Sequence, residues 1–223
     1  MRKTSGNNGP ILNMKQVILC NVYDLLLNEL GPQYWWPAQT PFEVVVGAVL
    51  TQQTKWTNVE KAIHDLKAHG LLEVEALAEA DSGLIEELVK CCGFYRQKAS
   101  RIKEIAAFFA ENAMETVFSM PVEDLRRVML SLRGVGDETA DSIVLYAAGK
   151  PKFVIDAYTT RMLKCIGIKG NYQELQRMFE NSLPEDVGIY KEYHALIVEY
   201  SKAFCGRKRC EECILKDLNE NGY

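Results

Sequence analysis

The stretch Leu132-Arg133-Gly134-Val135-Gly136-Asp137-Glu138-Thr139-Ala140, followed by a lone carboxylate at Asp156, decides how the rest of the chain is read. Two glycines separated by one apolar residue make a turn too tight for a side chain at either glycine. Such a turn lets backbone N–H groups approach a phosphate, and the N-terminus of a following helix adds partial positive charge. Taken alone, Gly-x-Gly also fits an ordinary connection between two helices. The apolar stop at Leu132 and the helix start at Thr139-Ala140 favour a helix–hairpin–helix, with Asp156 about one helix further on. That combination points to DNA backbone binding coupled to chemistry.

Outward from the hairpin the pattern is helical. Met14, Val17, Ile18, Val22, Leu25, Leu26 and Leu30 recur at 3–4 spacing, and Gly31-Pro32 ends that run. Thr40-Pro41-Phe42-Glu43 supplies an N-cap, a proline at the first helical position and a glutamate able to close a capping box. Thr57-x-x-Glu60 offers a second such start, with a stop before Gly70. Further helices are expected from about Glu73, Ser82, Arg96 and Pro121, over 137–148, 159–166, 173–182 and 189–204. Only Phe153-Val154-Ile155 reads as extended, too short to build a sheet. The predicted fold class is all-α, as two helical lobes with a cleft between them. One lobe is expected over 41–149, with the helix–hairpin–helix at about 121–149. The other combines 13–40 with 150–204, after a disordered 1–12, and a cysteine-bearing tail follows over 205–223.

With 223 residues, 48% of them hydrophobic, the chain can bury one large core or two smaller ones. The longest apolar run, Val44 to Leu50, is far short of a membrane span. The polar start, Met1 to Pro10, lacks the apolar centre of a secretion signal, so a cytoplasmic, nucleoid-associated prokaryotic protein without a membrane is expected, as a monomer. A net charge of −4 argues weakly against nucleic acid, yet net charge is a poor guide when one face carries the cations. Basic clusters occur at Arg96, Lys98, Arg101 and Lys103, at Arg126 and Arg127, and at Lys202, Arg207, Lys208 and Arg209. Each by itself fits a solvated surface as well as a phosphate contact. Cys20, Cys91, Cys92 and Cys165 sit among apolar residues and are expected as core thiols. Cys205, Cys210 and Cys213 crowd into a short basic segment, a pattern for a metal site in a chain not built for disulfides.

Four motifs in order carry a resemblance. Leu132 to Ala140, then Val154-Ile155-Asp156-Ala157-Tyr158, Gly93-Phe94-Tyr95-Arg96-Gln97-Lys98-Ala99 and Gly47-Ala48-Val49-Leu50-Thr51-Gln52-Gln53-Thr54 resemble the helix–hairpin–helix DNA glycosylases typified by endonuclease III. The similarity runs from about Leu30 to Phe204. Tyr34-Trp35-Trp36-Pro37 together with Thr54-Lys55-Trp56 looks most like the 3-methyladenine DNA glycosylase III branch, which excises alkylated purines.

The resemblance implies a base-excision-repair enzyme that acts on double-stranded DNA containing a damaged base, flips the nucleotide out and hydrolyses its N-glycosidic bond. Asp156 is the expected catalytic carboxylate; spacing alone favours the N-cap of the next helix, the resemblance turns the reading to catalysis, and it can do both. Trp35 and Trp56, with Trp36 and Pro37 beside them, are expected to form a slot for a cationic base, core packing being the alternative for tryptophan. Gln52 matches the position that fills the gap left by the flipped nucleotide, with a surface glutamine as the bland alternative. Glu43 is a further residue able to reach the lesion edge. Arg133, Gly134, Val135, Gly136 and Thr139 are expected at the DNA backbone, and hairpin carbonyls to hold a monovalent cation, as in the superfamily.

Two departures matter. Bifunctional members carry a lysine where this chain has Glu138, so no Schiff base can form there and water becomes the nucleophile. A lyase would need Lys55 or Lys98 as a replacement amine. The cysteine spacing resembles the endonuclease III iron–sulfur loop shortened by two residues, with Asn219 at the fourth position. An incomplete [4Fe–4S] site, zinc and a decayed site with free thiols all stay open. A glycosylase for mismatched thymine or uracil, and a noncatalytic damage-binding protein, are the alternatives to the alkylpurine reading.

Overall fold

The computed structural model describes residues 14–35, 38–207, 209–216 and 218. Trp36, Pro37, Lys208 and Asn219 therefore lie outside the described residues. The chain divides into two compact units, Trp35–Val154 and a second made of Met1–Tyr34 with Ile155–Tyr223. Both are built from helices, no strand occurs among the described residues, and no helix among them is long and apolar enough to cross a membrane. Phe153, Val154 and Ile155 are buried and join no sheet.

The 35–154 unit is arranged around α2 (Pro41–Leu50), whose residues from Phe42 onward are all buried. A helix apolar on every side must be surrounded. Around it stand α3 (Trp56–Ala68), α6 (Tyr95–Glu111) and the helical segment after the hairpin, while α4 (Val74–Glu79) and α5 (Ser82–Leu88) pack on α6. Thr40 caps α2 as expected, its hydroxyl accepting from Glu43 N at 3.1 Å. Glu43 reaches one residue further back than a capping box requires, to Gln39 N at 3.0 Å.

The second expected capping box does not form. Helix α3 starts at Trp56 with Lys55 as an N-cap that makes no side-chain bond, because Glu60 accepts from the Trp56 indole at 2.8 Å. A short helix, α7 (Met114–Ser119), was not anticipated from the sequence; it precedes α8 (Val122–Ser131). After the hairpin, α9 (Asp137–Ser142) continues into a π-helical turn, Ile143–Ala147, closed by Ala148 N on Ile143 O at 3.0 Å.

Lys98 overturns its expected place in a surface cluster. Only 2% exposed, it donates to Leu50 O at 2.9 Å, Thr54 Oγ1 at 2.5 Å and Cys92 O at 2.8 Å. Three donors meet three acceptors, which matches the inventory of an ammonium group. Burial lowers its pKa, Arg101 adding to the effect and Cys92 opposing it. Burial also pushes the Cys92 thiol up to about 12, so that residue is an inert core thiol as expected.

The other unit packs α1 (Met14–Leu30) against α11 (Tyr172–Ser182) and α12 (Val187–Ala203), and α10 (Ala157–Cys165) against α12. Tyr193 anchors this core, its hydroxyl donating to Leu19 O at 2.8 Å and its ring meeting Phe179 edge-on. Cys20 is half-buried and bonds Ser182 O, whereas Cys165 is exposed, against the expectation of a core thiol.

Replacing Lys98 by methionine keeps the volume but leaves the Leu50 carbonyl unpaired in the interior and takes one of two donors from Cys92 O, which still accepts from the Thr54 hydroxyl. Chemical denaturation is expected to show a loss of about 2–4 kcal/mol.

Candidate functional site

The hairpin owes its shape to Gly134, whose φ of +79° is in the left-handed region. A Cβ there would come within 2.2 Å of Arg101 Nε and 2.5 Å of its Cδ. The turn is closed by Val135 N on Leu132 O at 3.1 Å, and Gly136 becomes the N-cap of α9. The N–H groups of Gly134 and Gly136 donate to nothing within the described residues, and Arg133 is exposed beside them, 3.4 Å from Glu104. Val135 is buried, so its side chain anchors the turn and cannot meet a ligand.

Gln52 does not extend outward as expected. Its Nε2 donates to Gly134 O and Thr139 Oγ1, both at 2.9 Å, and its Oε1 accepts from Arg101 Nη1 at 2.9 Å. Both ends of the amide are engaged, so the side chain braces the hairpin against the end of α2. Thr139 is buried and belongs to the same brace, which removes it from the exposed set. Of the hairpin carbonyls, Gly134 O accepts from Gln52 and Leu132 O from Val135 N, each bond using one of the oxygen's two lone pairs.

Two exposed side chains missed by the sequence reading stand on neighbouring turns. Gln53, next to the braced Gln52, has φ +52°, and Phe94 has φ +45° with 66% of its surface exposed. Left-handed backbone at non-glycine residues is strained and is retained where surrounding structure enforces it. Here Lys98 holds both turns, through Thr54 on one and Cys92 on the other. The Gln52-Gln53 doublet leaves the sequence register ambiguous by one residue. Gly93 before Phe94 was the available signal for the second turn.

The remaining basic residues are largely paired. Arg126 bonds both Asp137 and Asp141, which hold its pKa above the usual guanidinium value. Lys103 donates to Ala80 O, Lys202 to Glu199, Arg127 to Asp124 and Arg209 to Glu212.

Trp35 and Trp56 are half-buried and stand 6.5 Å apart between ring centroids, tilted by 43°. That is a direct aromatic pair, within the roughly 4.5–7 Å typical of such contacts. Trp35 also meets Tyr146 edge-on at 6.3 Å. Next to Trp56 lies a cavity of about 330 Å³ whose walls include Gln39, Glu43, Glu60, His64 and Lys67. Glu43 is buried, with Lys67 Nζ 3.7 Å from its Oε2.

Asp156 is the N-cap of α10. Its Oδ1 accepts from Thr159 N at 2.7 Å, and its Oδ2 lies 3.7 Å from His194 Nε2 on α12. The side chain is 11% exposed. Burial by itself would raise the Asp156 pKa; the His194 imidazole and the Thr159 amide outweigh it, and the carboxyl is held below its ordinary value. The residue is thus a fixed, ionised acceptor with one oxygen used for capping and the other turned to a histidine. His194 carried no signal in the sequence, since its partner is on another helix.

In the tail, Cys205 and Cys213 are half-buried, and the side chain of Cys210 lies outside the described residues. The Tyr200 hydroxyl donates to Cys213 Sγ at 3.4 Å and accepts from Ile214 N at 2.9 Å. Among the described residues no three His, Cys, Asp or Glu side chains already share a coordination sphere.

A model of the HhH-GPD superfamily of base excision DNA repair proteins matches residues 46–216. A Methanocaldococcus jannaschii protein provisionally assigned as a DNA repair glycosylase is 46% identical over 209 residues, covering 90% of this chain and 95% of that one. Endonuclease III of Thermotoga maritima is 32% identical over 185 residues, 79% of this chain and 81% of the enzyme. Among solved structures, H. pylori 3-methyladenine DNA glycosylase bound to 1,N6-ethenoadenine is 31% identical, with a TM-score of 0.75 over 85% of this chain and 97% of the other. An endonuclease III–DNA complex shares the fold at a TM-score of 0.78 and 21% identity, over 93% of this chain and 95% of the other.

Gly134→Ala is expected to cost about 1–3 kcal/mol from backbone strain, and more from the displaced Arg101. Combining it with Arg101→Ala should be less than additive in denaturation experiments, because removing the guanidinium relieves the overlap.

Proposed function

Given that this chain belongs to the HhH-GPD superfamily of base excision DNA repair proteins, we propose that it is a monofunctional DNA glycosylase releasing alkylated purines from duplex DNA. The observation that carries the reading is Asp156, a buried carboxylate kept ionised by His194 and Thr159 and still partly accessible. When the N-glycosidic bond breaks, its electron pair leaves with the base and positive charge develops on the deoxyribose. A fixed carboxylate stabilises that charge. Water then bonds to the anomeric carbon and gives up a proton, for which Asp156 is the acceptor. A methylated purine is already cationic and departs neutral, so little protonation of the leaving group is needed.

Hydrolysis without a lyase step is supported by Glu138, which offers no amine. Lys98 cannot replace it, since all three of its N–H bonds are engaged inside the protein. The free N–H groups of Gly134 and Gly136, with Arg133, are the proposed phosphate contacts. Gln53 takes the gap-filling role first assigned to Gln52, and Phe94 is a second wedge, since exposed apolar side chains on rigid turns suit insertion between base steps. Trp35 and Trp56 are the proposed walls for the cationic base, each face worth roughly 0.5–2 kcal/mol. Cys205, Cys210 and Cys213 would hold a metal centre that organises the tail and supplies no step of the hydrolysis.

One observation favours a second reading. The tryptophans touch each other, and the cavity at Trp56 is lined by groups able to hydrogen-bond a neutral base edge. This suits a mismatched thymine or uracil, which needs such bonds more than stacking.

Chromatography of bases released from N-methylated duplex DNA decides between them. Release of 3-methyladenine or 7-methylguanine that disappears with Asp156→Asn is the expected outcome, with the variant still folded because Asn caps helices as well as Asp does. Because the carboxyl titrates below its usual range, release is expected to hold between about pH 7 and pH 5. No release from methylated DNA, with release from uracil- or thymine-mismatched duplexes that survives Trp56→Ala, would establish the second reading. Binding without any base release would leave a damage-binding protein. Gln53→Ala and Phe94→Ala are each expected to lower base release by about tenfold or more, with melting temperatures near that of the parent, whereas Gln52→Ala should also lower stability.

A further inference from the structure

Within the 35–154 unit, Trp35 touches two other rings. Trp56 lies 6.5 Å from it at a tilt of 43°, and Tyr146 lies 6.3 Å from it at 81°. Both neighbours are carried on rigid backbone. Trp56 is the first residue of α3, and its indole donates to Glu60 one turn on, at 2.8 Å. Tyr146 is buried on the π-helical turn Ile143–Ala147, where the sequence predicts ordinary helix over 137–148. Turns of this kind are found frequently at functional sites. This one is closed twice, Ala148 N donating to Ile143 O and Lys150 N to Val144 O, each at 3.0 Å. Gly149, with φ +62°, lets the chain fold back for the second bond. Ile143, Val144 and Leu145 are fully buried, and the turn packs on α2. Trp35, by contrast, stands outside any helix.

That difference decides which wall moves. A base stacked between two indoles needs each ring about 3.5–4.0 Å away, so the indole planes must lie parallel and roughly 7–8 Å apart. From 6.5 Å and 43°, the opening is small in distance and larger in angle. A rotation of Trp56 breaks its bond to Glu60. The rotation therefore falls to Trp35, and Tyr146 is the ring it turns against.

We propose, resting on the alkylpurine reading given above, that Tyr146 is a positioning residue of the base slot. Its ring sets the plane in which Trp35 opens from Trp56 and closes on a flipped cationic base. Without a ring at 146, Trp35 meets the base over a spread of angles. A misplacement of about 1 Å in such a wall costs up to about a hundredfold in rate.

The test compares the parent protein with Tyr146→Leu and Tyr146→Met, which fill the buried place without a ring, and with Tyr146→Phe, which keeps one. Release of 3-methyladenine and 7-methylguanine from methylated duplex DNA is followed in single turnover at saturating enzyme. Binding to a duplex carrying an abasic-site analogue, which puts no base in the slot, is measured beside it. The tryptophans of the chain are at 35, 36 and 56, so acrylamide quenching of their emission reads the slot directly. The ringless variants are expected to lose base release by about tenfold or more, keep abasic-site binding within about twofold and show stronger quenching. Tyr146→Phe is expected to match the parent in all three. Parent-like release from the ringless variants, unchanged quenching, or abasic-site binding that falls as far as release would each overturn the proposal. Failure of both ringless variants to fold, checked by circular dichroism, would do the same by showing a purely structural ring. A parent that releases no methylated base would overturn the alkylpurine reading itself, and the proposal with it.

Discussion

The Lys98 ammonium gathers two backbone carbonyls and one hydroxyl at the ends of three helices. Leu50 O is at the C-terminal end of α2, where helical carbonyls lose their intrahelical donors and a cation is favoured. Cys92 O stands in the turn that leads into α6 and accepts from the Thr54 hydroxyl as well, and Thr54 stands in the turn that leads into α3. One buried charge therefore fixes the relative positions of three helix ends. The same helix continues the work at successive turns: Arg101 reaches Gln52 and packs on Gly134, and Glu104 contacts Arg133. Residues three apart on α6 thus connect the end of α2 to both sides of the hairpin. The strained turns at Gln53 and Phe94 sit on this frame, and it is the frame that makes their backbone conformations affordable.

Much of this was legible locally. The all-α class, the Thr40 cap and the need for glycine at 134 depend on neighbours within a few residues, and the structure agrees with each. What could not be read depends on contacts between distant segments. Lys98 looks like any other cation in a basic run until its three carbonyl and hydroxyl partners are assembled around it. Gln52 and Gln53 have the same side chain and adjacent positions, so only the brace to Gly134 and Thr139 tells inward from outward. His194 acquires meaning from α10 packing on α12, which no periodicity encodes. The Thr57 start failed for a related reason: the helix begins one residue earlier, and Glu60 accepts from the Trp56 indole instead of closing back on the backbone.

Asp156 reconciles two readings that compete on spacing. Capping uses one oxygen and locks the side-chain rotamer through Thr159, which is what a preorganised carboxylate requires. The other oxygen faces His194. A capping aspartate is thereby made rigid without being consumed by the cap, and burial that would neutralise a lone carboxyl is offset by the imidazole. In the proposed reading, structural and chemical duties reinforce one another at this residue.

The contact between Trp35 and Trp56 bears on selectivity in the proposed reading. Admitting a base between them means parting a tilted aromatic pair worth about 0.5–1.5 kcal/mol beyond area burial. A cationic purine recovers roughly 0.5–2 kcal/mol at each indole face it meets, whereas a neutral base recovers only stacking. A closed pair therefore disfavours normal bases more than alkylated ones, because only the cation offsets the opening with margin. For a neutral mismatched base the balance would have to come from hydrogen bonds in the polar cavity at Trp56, where Glu43 is already engaged by Gln39 and faces Lys67. The charge of the lesion, more than its shape, is what this arrangement is able to weigh.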